Sequence, residues 1–523
     1  MNNAAPPAPA VTVSSAASPG YRAYSRALLG MDAPAVTVET HLPGGLPSFT
    51  LVGLPETAVR EARDRVRSAI QNCGLDFPAG RVVVNLAPAD LVKEGARFDL
   101  AIAISILCAT GQVPSERVAA FEFLGELGLF GELRRVRGAL CAALALRLDN
   151  VARQLVIPAP NAVEASAPLG RPPLTAKHLR DVVDLLLTGR EPAPAAPQSS
   201  YEPIAPAVPL EDVIGQSTAK RALVVSAAGG HHLLFIGPPG TGKTMLAHRL
   251  ATLLPRLSEA EALEVAAVYS AAGIPPPAPG MAPFREPHHS ASTAAIAGGG
   301  SHAMPGEISL AHAGVLFLDE LPHFRPSVLD LLREPLESRA ITLARARYRT
   351  RFPARFQLVA AMNPCPAGRV CAPSACRCSP ESVRRYQSRV SGPLLDRIDL
   401  HVPVPGIPAS DLLGRERQEA PIAGMDRIEA ARQRQMQRQG TLNAELSATE
   451  LRTVATLPED ARTLLERAVE RFSLSARSTH RLLRTSRTIA DLADSTGVLR
   501  EHVVEALGYR GVDWERSAGQ HSP

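Results

Sequence analysis

The run Gly237-Pro-Pro-Gly-Thr-Gly242-Lys243-Thr244 constrains this chain more than any other feature. It follows an apolar stretch at residues 233–236 and opens a helix-like run near Met245. Glycines at these spacings let backbone N–H groups turn inward around a phosphate, and the N-terminus of the next helix adds positive potential. Lys243 then reaches the outer phosphates and Thr244 holds Mg²⁺. The expected ligand contacts are therefore Gly237, Pro238, Pro239, Gly240, Thr241, Gly242, Lys243 and Thr244. A strand, a glycine turn and a helix in this order belong to an α/β fold with a parallel sheet.

Val315-Leu-Phe-Leu-Asp319-Glu320 reads as the partner element, a buried strand ending in two acids. Asp319 orients Mg²⁺ through its waters, and Glu320 is placed to polarise an attacking water as general base. A further apolar strand at residues 356–361 leads to Asn363, whose amide can position water or the terminal phosphate. Taken alone, an Asn at a strand end is a turn residue.

The rest of the chain supplies domains around this core. At 523 residues it has room for about three. With 45% hydrophobic and 20% charged residues it is globular in composition. No apolar run reaches the roughly 18 residues of a membrane span. Residues 1–20 have neither a basic start nor a continuous apolar core, so a cytoplasmic protein with a loose first segment is expected. Residues 188–209, with Glu-Pro-Ala-Pro-Ala-Ala-Pro, read as an extended linker. The expected layout is a tail at 1–20, an α+β domain at 21–187, the linker, an α/β domain at 210–408, a helical region at 409–510 and a tail at 511–523. In the first domain, strands are predicted at 35–39, 48–54 and 81–86, with an amphipathic helix at 56–72 stopped by Gly74.

A balance of 56 basic against 51 acidic residues is too even to diagnose a nucleic-acid binder, so such a reading needs a local cluster. Only Lys93, Lys177, Lys220 and Lys243 are lysines, leaving 56 − 4 = 52 arginines. Single arginines therefore carry little information, whereas Lys243 stands where a compact ammonium is required. One cluster stands out: Arg345-Ala-Arg347-Tyr-Arg349-Thr-Arg351-Phe-Pro-Ala-Arg355, which has no acid. In an extended hairpin Arg345, Arg347, Arg349 and Arg351 are expected to share one face as a ladder for phosphates, the alternative being a solvated edge. Cys73, Cys108 and Cys141 are scattered among apolar residues and read as core. Cys365, Cys371, Cys376 and Cys378 are clustered, which leaves two readings open: a tetrahedral Zn²⁺ site or thiols of a surface loop.

The order Asp212-Val-Ile-Gly-Gln216, phosphate loop, Asp319-Glu320, Asn363 and Gly392-Pro-Leu-Leu-Asp-Arg397-Ile-Asp399 resembles the magnesium-chelatase-like branch of the AAA+ ATPases. Phe284-Arg-Glu-Pro-His-His-Ser-Ala-Ser292, Pro305-Gly-Glu-Ile-Ser-Leu-Ala-His312 and Asn363-Pro-Cys-Pro narrow this to a resemblance to the ComM/YifB family. Val52-Gly-Leu-Pro, Val84-Asn-Leu-Ala-Pro-Ala-Asp90 and Lys93-Glu-Gly-Ala-Arg-Phe-Asp99 extend it through the first domain.

The resemblance implies a Lon-protease-like N-terminal α+β domain, an AAA+ P-loop α/β core and a C-terminal helical lid. It implies ATP and Mg²⁺ as cofactors, with Ile214 and Gly215 at the nucleotide and Asn363 as sensor 1. Arg477 is the implied sensor 2. Arg397 is the implied arginine finger entering a neighbour's site, with Arg389 in reserve and a pair with Asp396 or Asp399 as the bland alternative. It further implies a homo-hexameric motor on single-stranded or branched DNA, a helicase or branch-migration factor of natural transformation and recombination, working with recombination proteins. The arginine hairpin and the segment at 284–300, with His288 and His289, resemble pore-facing inserts. Ala367 stands where the family pattern has its second cysteine, with Cys371 as substitute. A Lon-type protease is disfavoured because Arg97 occupies the nucleophilic serine's position. A chelatase-like or protein-remodelling ATPase shares the core, and a non-enzymatic nucleotide switch is opposed by Glu320 and Arg397.

Overall fold

The computed structural model describes residues 21–510 apart from 54–56, 151, 166–171, 193–209, 301–302, 346–347, 369–375, 377 and 408–423. The chain forms two compact units, Met1–Ser199 and Ser200–Pro523.

The first unit is a mixed sheet with helices. Its strands are β1 (Tyr21–Arg26), β2 (Ala35–His41), β3 (Ser48–Val52), β4 (Arg81–Ala87), β5 (Phe121–Phe123), β6 (Gln154–Pro158) and β7 (Leu174–Ala176), in the order β3-β4-β2-β1-β5-β6-β7. Alternation along β4 buries Val82, Val84 and Leu86 on one face, as a period of two requires. Helix α1 (Thr57–Asn72) lies where the amphipathic pattern put it, and Gly74 follows its end at φ 71°. Helix α2 (Asp99–Ala109) is buried from Asp99 to Cys108, which its all-round apolar sequence dictates. Strands β1 and β5–β7 have no clear signature in the sequence, because they are short or lack clean alternation.

The second unit holds a five-stranded parallel sheet: β8 (Leu233–Ile236), β9 (Phe284–Arg285), β10 (Val315–Leu318), β13 (Gln357–Met362) and β14 (Leu400–Pro403), ordered β9-β10-β13-β8-β14. Strands β8, β10 and β13 are buried at every residue, the continuous apolar run of parallel strands covered on both faces. Between β10 and β13 an antiparallel hairpin is formed by β11 (Ala340–Arg345) and β12 (Tyr348–Pro353). Helices α3 (Ser217–Gly229), α4 (Lys243–Leu253) and α5 (Pro380–Gln387) belong to the same unit. The C-terminal helices include α6 (Met425–Gln439), α7 (Glu459–Phe472), α8 (Ala476–Leu492) and α9 (Arg500–Gly508). One apolar core runs from α3 and the sheet into these helices, through Leu223, Phe235, Phe317, Ile428, Leu482 and Val503.

Register places the site. Ile236 lies opposite Met362, and Leu318 opposite Ala360, so β8, β10 and β13 end close together. Their carboxyl ends are where an open parallel sheet binds ligands.

Candidate nucleotide site

The phosphate-loop sequence leaves β8 with Gly237 N donating to Met362 O at 3.2 Å. A Cβ at Gly237 would stand 2.0 Å from Val404 O, so only glycine fits there. Gly240 and Gly242 take φ of 77° and 88°, left-handed values that glycine adopts without strain. The turn delivers Lys243 to the first position of α4, 8% exposed. Its Nζ donates to Gly237 O and Pro238 O, both at 2.7 Å, and to Asn363 Oδ1 at 3.1 Å. Burial lowers the ammonium's pKa from its ordinary value, and Asp319 and Glu320 work against that shift.

Thr244 Oγ1 donates to Asp319 Oδ2 at 2.8 Å, joining the loop to the end of β10. A hydroxyl and a carboxylate are hard oxygen donors suited to Mg²⁺. Glu320 follows at φ 52°, a strained conformation for a residue with a Cβ, and its backbone N–H donates to Asp319 Oδ1 at 2.8 Å. The Glu320 carboxylate is half exposed, with His289 Nδ1 at 3.7 Å. Lys243, Thr244, Asp319, Glu320 and Asn363 are thus brought together. Ile214 is left 48% exposed just before α3, and Gly215 has φ 63°.

Arg397 and Arg477 form a second group. Arg397 Nη2 donates to Glu337 Oε1 at 2.6 Å, and Arg477 Nη2 to the same oxygen at 2.9 Å. Arg397 is nearly buried and also donates to Pro393 O at 2.6 Å. The alternative partners named from sequence are corrected here: Glu337 takes Arg397, while Asp399 takes Arg481 at 2.8 Å. Arg389 is exposed. Beside this group a cavity of about 460 Å³ is lined by Glu337, Arg339, Arg477, Arg481 and Arg484, and no phosphate-loop residue reaches it. Nothing in the sequence signalled Glu337, which lies 60 and 140 positions from its two partners.

The arginine ladder needs correction. Arg349 and Arg351 lie two apart on β12, and both are exposed, facing away from buried Ile341, Thr350 and Phe352. Arg345 pairs with Tyr348 across the hairpin, whereas Arg349 pairs with Ala344 and Arg351 with Thr342. Directly opposed residues share a face, so Arg345 is out of phase with Arg349 and Arg351. The chain reverses between Arg345 and Tyr348, and the period of two does not carry through a reversal. Arg347 lies outside the described residues.

Of the clustered cysteines, Cys365, Cys376 and Cys378 bring their sulfurs within 4.8 Å of one another; Cys371 lies outside the described residues. His288 Nδ1 makes a 2.7 Å hydrogen bond with Ser290 Oγ. In the first unit Arg97 is buried and Nη2 donates to Arg137 O at 3.0 Å. Burial pushes the Arg97 guanidinium's pKa down to about 10. A buried guanidinium offers no hydroxyl for acyl transfer. Among the described residues no helix is long and apolar enough to cross a membrane.

Comparison with known proteins agrees with this geometry. The family described as magnesium chelatase, subunit ChlI, matches residues 209–412. Subunit ChlI of Mg-chelatase matches 38–161, and the ChlI C-terminal family matches 422–510. Competence protein ComM of Haemophilus influenzae is 48% identical over 497 residues, covering 94% of this chain and 97% of that protein. YifB of Escherichia coli is 47% identical over 499 residues, with 94% and 97% covered. A Lon protease homologue of Thermoplasma acidophilum is 43% identical over 63 residues, 12% of this chain and 13% of its own length. A Lon-like N-terminal unit, a parallel-sheet core and a C-terminal helical region, matched over nearly the whole length, place the chain in the ComM/YifB family of magnesium-chelatase-like AAA+ proteins.

Proposed function

We propose that this protein is an ATP-hydrolysing motor that works on DNA as a homo-hexameric ring, separating strands or moving branch points. The observation that carries the ATPase half is the convergence of Lys243, Thr244, Asp319 and Asn363 at the ends of three parallel strands. The three oxygens around Lys243 Nζ occupy places that phosphate oxygens take over. Thr244 and Asp319 would hold Mg²⁺, which would supply charge neutralisation on the phosphates. Glu320 would take the proton of the attacking water, Asn363 would orient that water, and Ile214 and Gly215 would contact the nucleotide. Zn²⁺ is the cation assigned to the cysteine loop.

Arg397 and Arg477 sit together on Glu337, away from their own subunit's phosphate loop, which supports their acting on a neighbour's nucleotide. A finger supplied in trans is worth about 10³ to 10⁵ in rate. DNA as substrate rests on the exposed Arg349 and Arg351 and on the competence role printed in the name of the Haemophilus relative. Cytoplasmic DNA taken up for recombination is the setting, with recombination proteins as partners. Subunit mixing tests the ring: Lys243→Ala and Arg397→Ala rings are each expected to be inactive, and mixed rings to recover part of the turnover. Verified co-assembly with no recovery would overturn the trans arrangement.

A further inference from the structure

We propose that Cys365, Cys376 and Cys378 hold a zinc ion whose loop braces the phosphate-binding loop, so that zinc occupancy sets the affinity for nucleotide. The proposal rests on reading the glycine loop ending at Thr244 as the ATP site, and deepens it.

Geometry carries the metal. In a tetrahedral thiolate site with Zn–S bonds near 2.3 Å, sulfurs stand about 3.8 Å apart. The three sulfurs here all lie within 4.8 Å of one another, so a small closure seats the ion. They come from both ends of one connection: Cys365 follows β13, and Cys378 precedes α5. Cys365 is buried, Cys378 is partly exposed and Cys376 is exposed, which leaves an entry path. Binding exchanges three S–H protons for three Zn–S bonds, with the protons released to solvent.

Geometry also carries the brace. Two residues before Cys365 stands Asn363, whose Oδ1 accepts from Lys243 Nζ. Three residues after it, buried Gly368 turns at φ 54° against the phosphate loop. A Cβ built there would lie 3.1 Å from Pro239 Cγ and 3.8 Å from Asn363 Nδ2. The loop's other flank is held by α5, where Gln387 Nε2 donates to Pro364 O at 3.0 Å. Ser379 caps that helix directly after Cys378, its Oγ accepting from Ser382 N at 3.2 Å. Closing the thiols on a metal therefore fixes the turn that touches both Pro239 and Asn363. Without the metal those contacts work against the ordering entropy of the residues that make them, with no bond between Cys365 and Cys378 to offset it.

The test uses full-length protein purified without added metal. Elemental analysis is expected to give about one zinc per chain. Cys376→Ser with Cys378→Ser, both away from the buried core, should lose the zinc while retaining the wild-type circular dichroism spectrum. Affinity for a fluorescent ATP analogue should fall about tenfold in that variant, equivalent to about 1.4 kcal/mol. The same loss should follow chelation of the wild type and be reversed by added Zn²⁺. Lys243→Ala separates the two readings, since it should lose nucleotide and keep zinc. Metal-free wild type with full nucleotide affinity overturns the zinc site, and zinc depletion that leaves affinity unchanged overturns the brace. Zinc-loaded wild type that binds no nucleotide would instead overturn the reading of the ATP site.

Discussion

Glu337 receives two guanidiniums on one oxygen, and the burial of each arginine decides what that is worth. The Arg397 side chain is 7% exposed and that of Arg477 51% exposed. An exposed ion pair contributes under about 1 kcal/mol, so Arg477→Ala should leave stability nearly unchanged. Removing the acid from a buried guanidinium costs more, and since Glu337 is itself half solvated, Glu337→Ala should destabilise by roughly 1–2 kcal/mol. Urea midpoints compare the two variants, and equal midpoints would mean that Glu337 does not hold Arg397. At this scale legibility follows sequence distance. Lys243, Thr244 and the glycines were readable because one short turn fixes all of them, and Asp319-Glu320 because an apolar strand aims them. Glu337 was not readable, because only packing brings it to arginines from distant segments.

Buried histidines at the root of the sheet make the second unit acid-sensitive. Burial, with Arg510 nearby, pushes the His401 imidazole down to about 4, and burial does the same to His232. His232 Nδ1 accepts from Leu358 N at 3.0 Å, a bond that only the unprotonated nitrogen makes. Unfolded imidazoles take a proton near pH 6.5, so between about pH 6.5 and 4 the unfolded chain holds more protons and stability falls on acidification. Burial would raise the Asp399 carboxyl, but Arg481 and His231 outweigh it and hold it well below its usual range. Its contribution persists above about pH 3.8 and adds no slope in that window. Urea unfolding of wild type and His401→Gln at pH 7.5 and 5 should show a loss for wild type and a smaller one for the variant; pH-independent stability would contradict it. The buried strands β8, β10 and β13 were legible as continuous apolar runs. The hairpin was legible as a hairpin but not in phase, since its turn position was unknown and a shift of one residue exchanges faces. Only Arg349 and Arg351 are shown on the solvent face of β12. Replacing both with Ala should reduce the salt dependence of single-stranded DNA binding by about 1.4 in log–log slope, 0.7 per phosphate contact. An unchanged slope would remove the hairpin from the DNA path.

At the scale of the whole molecule the two units divide between Ser199 and Ser200, inside the proline-rich stretch expected to be a linker, and the parallel core follows from a single glycine turn. The grouping of Arg397 with Arg477, apart from the phosphate loop of their own chain, was beyond reach of sequence pattern because it depends on how α8 packs against α3 and the other C-terminal helices. On the proposed function, that grouping would make each subunit an incomplete hydrolase, and the exposed arginines of β12 would give a ring a surface on which turnover moves a phosphate backbone. A three- or four-stranded DNA branch-migration assay tests this most directly. The assembled wild-type ring is expected to move the branch point only with ATP, Glu320→Gln to bind nucleotide without moving it, and the Arg349→Ala, Arg351→Ala variant to move it more slowly. A verified wild-type ring that hydrolyses ATP yet leaves the branch point where it started would contradict the account.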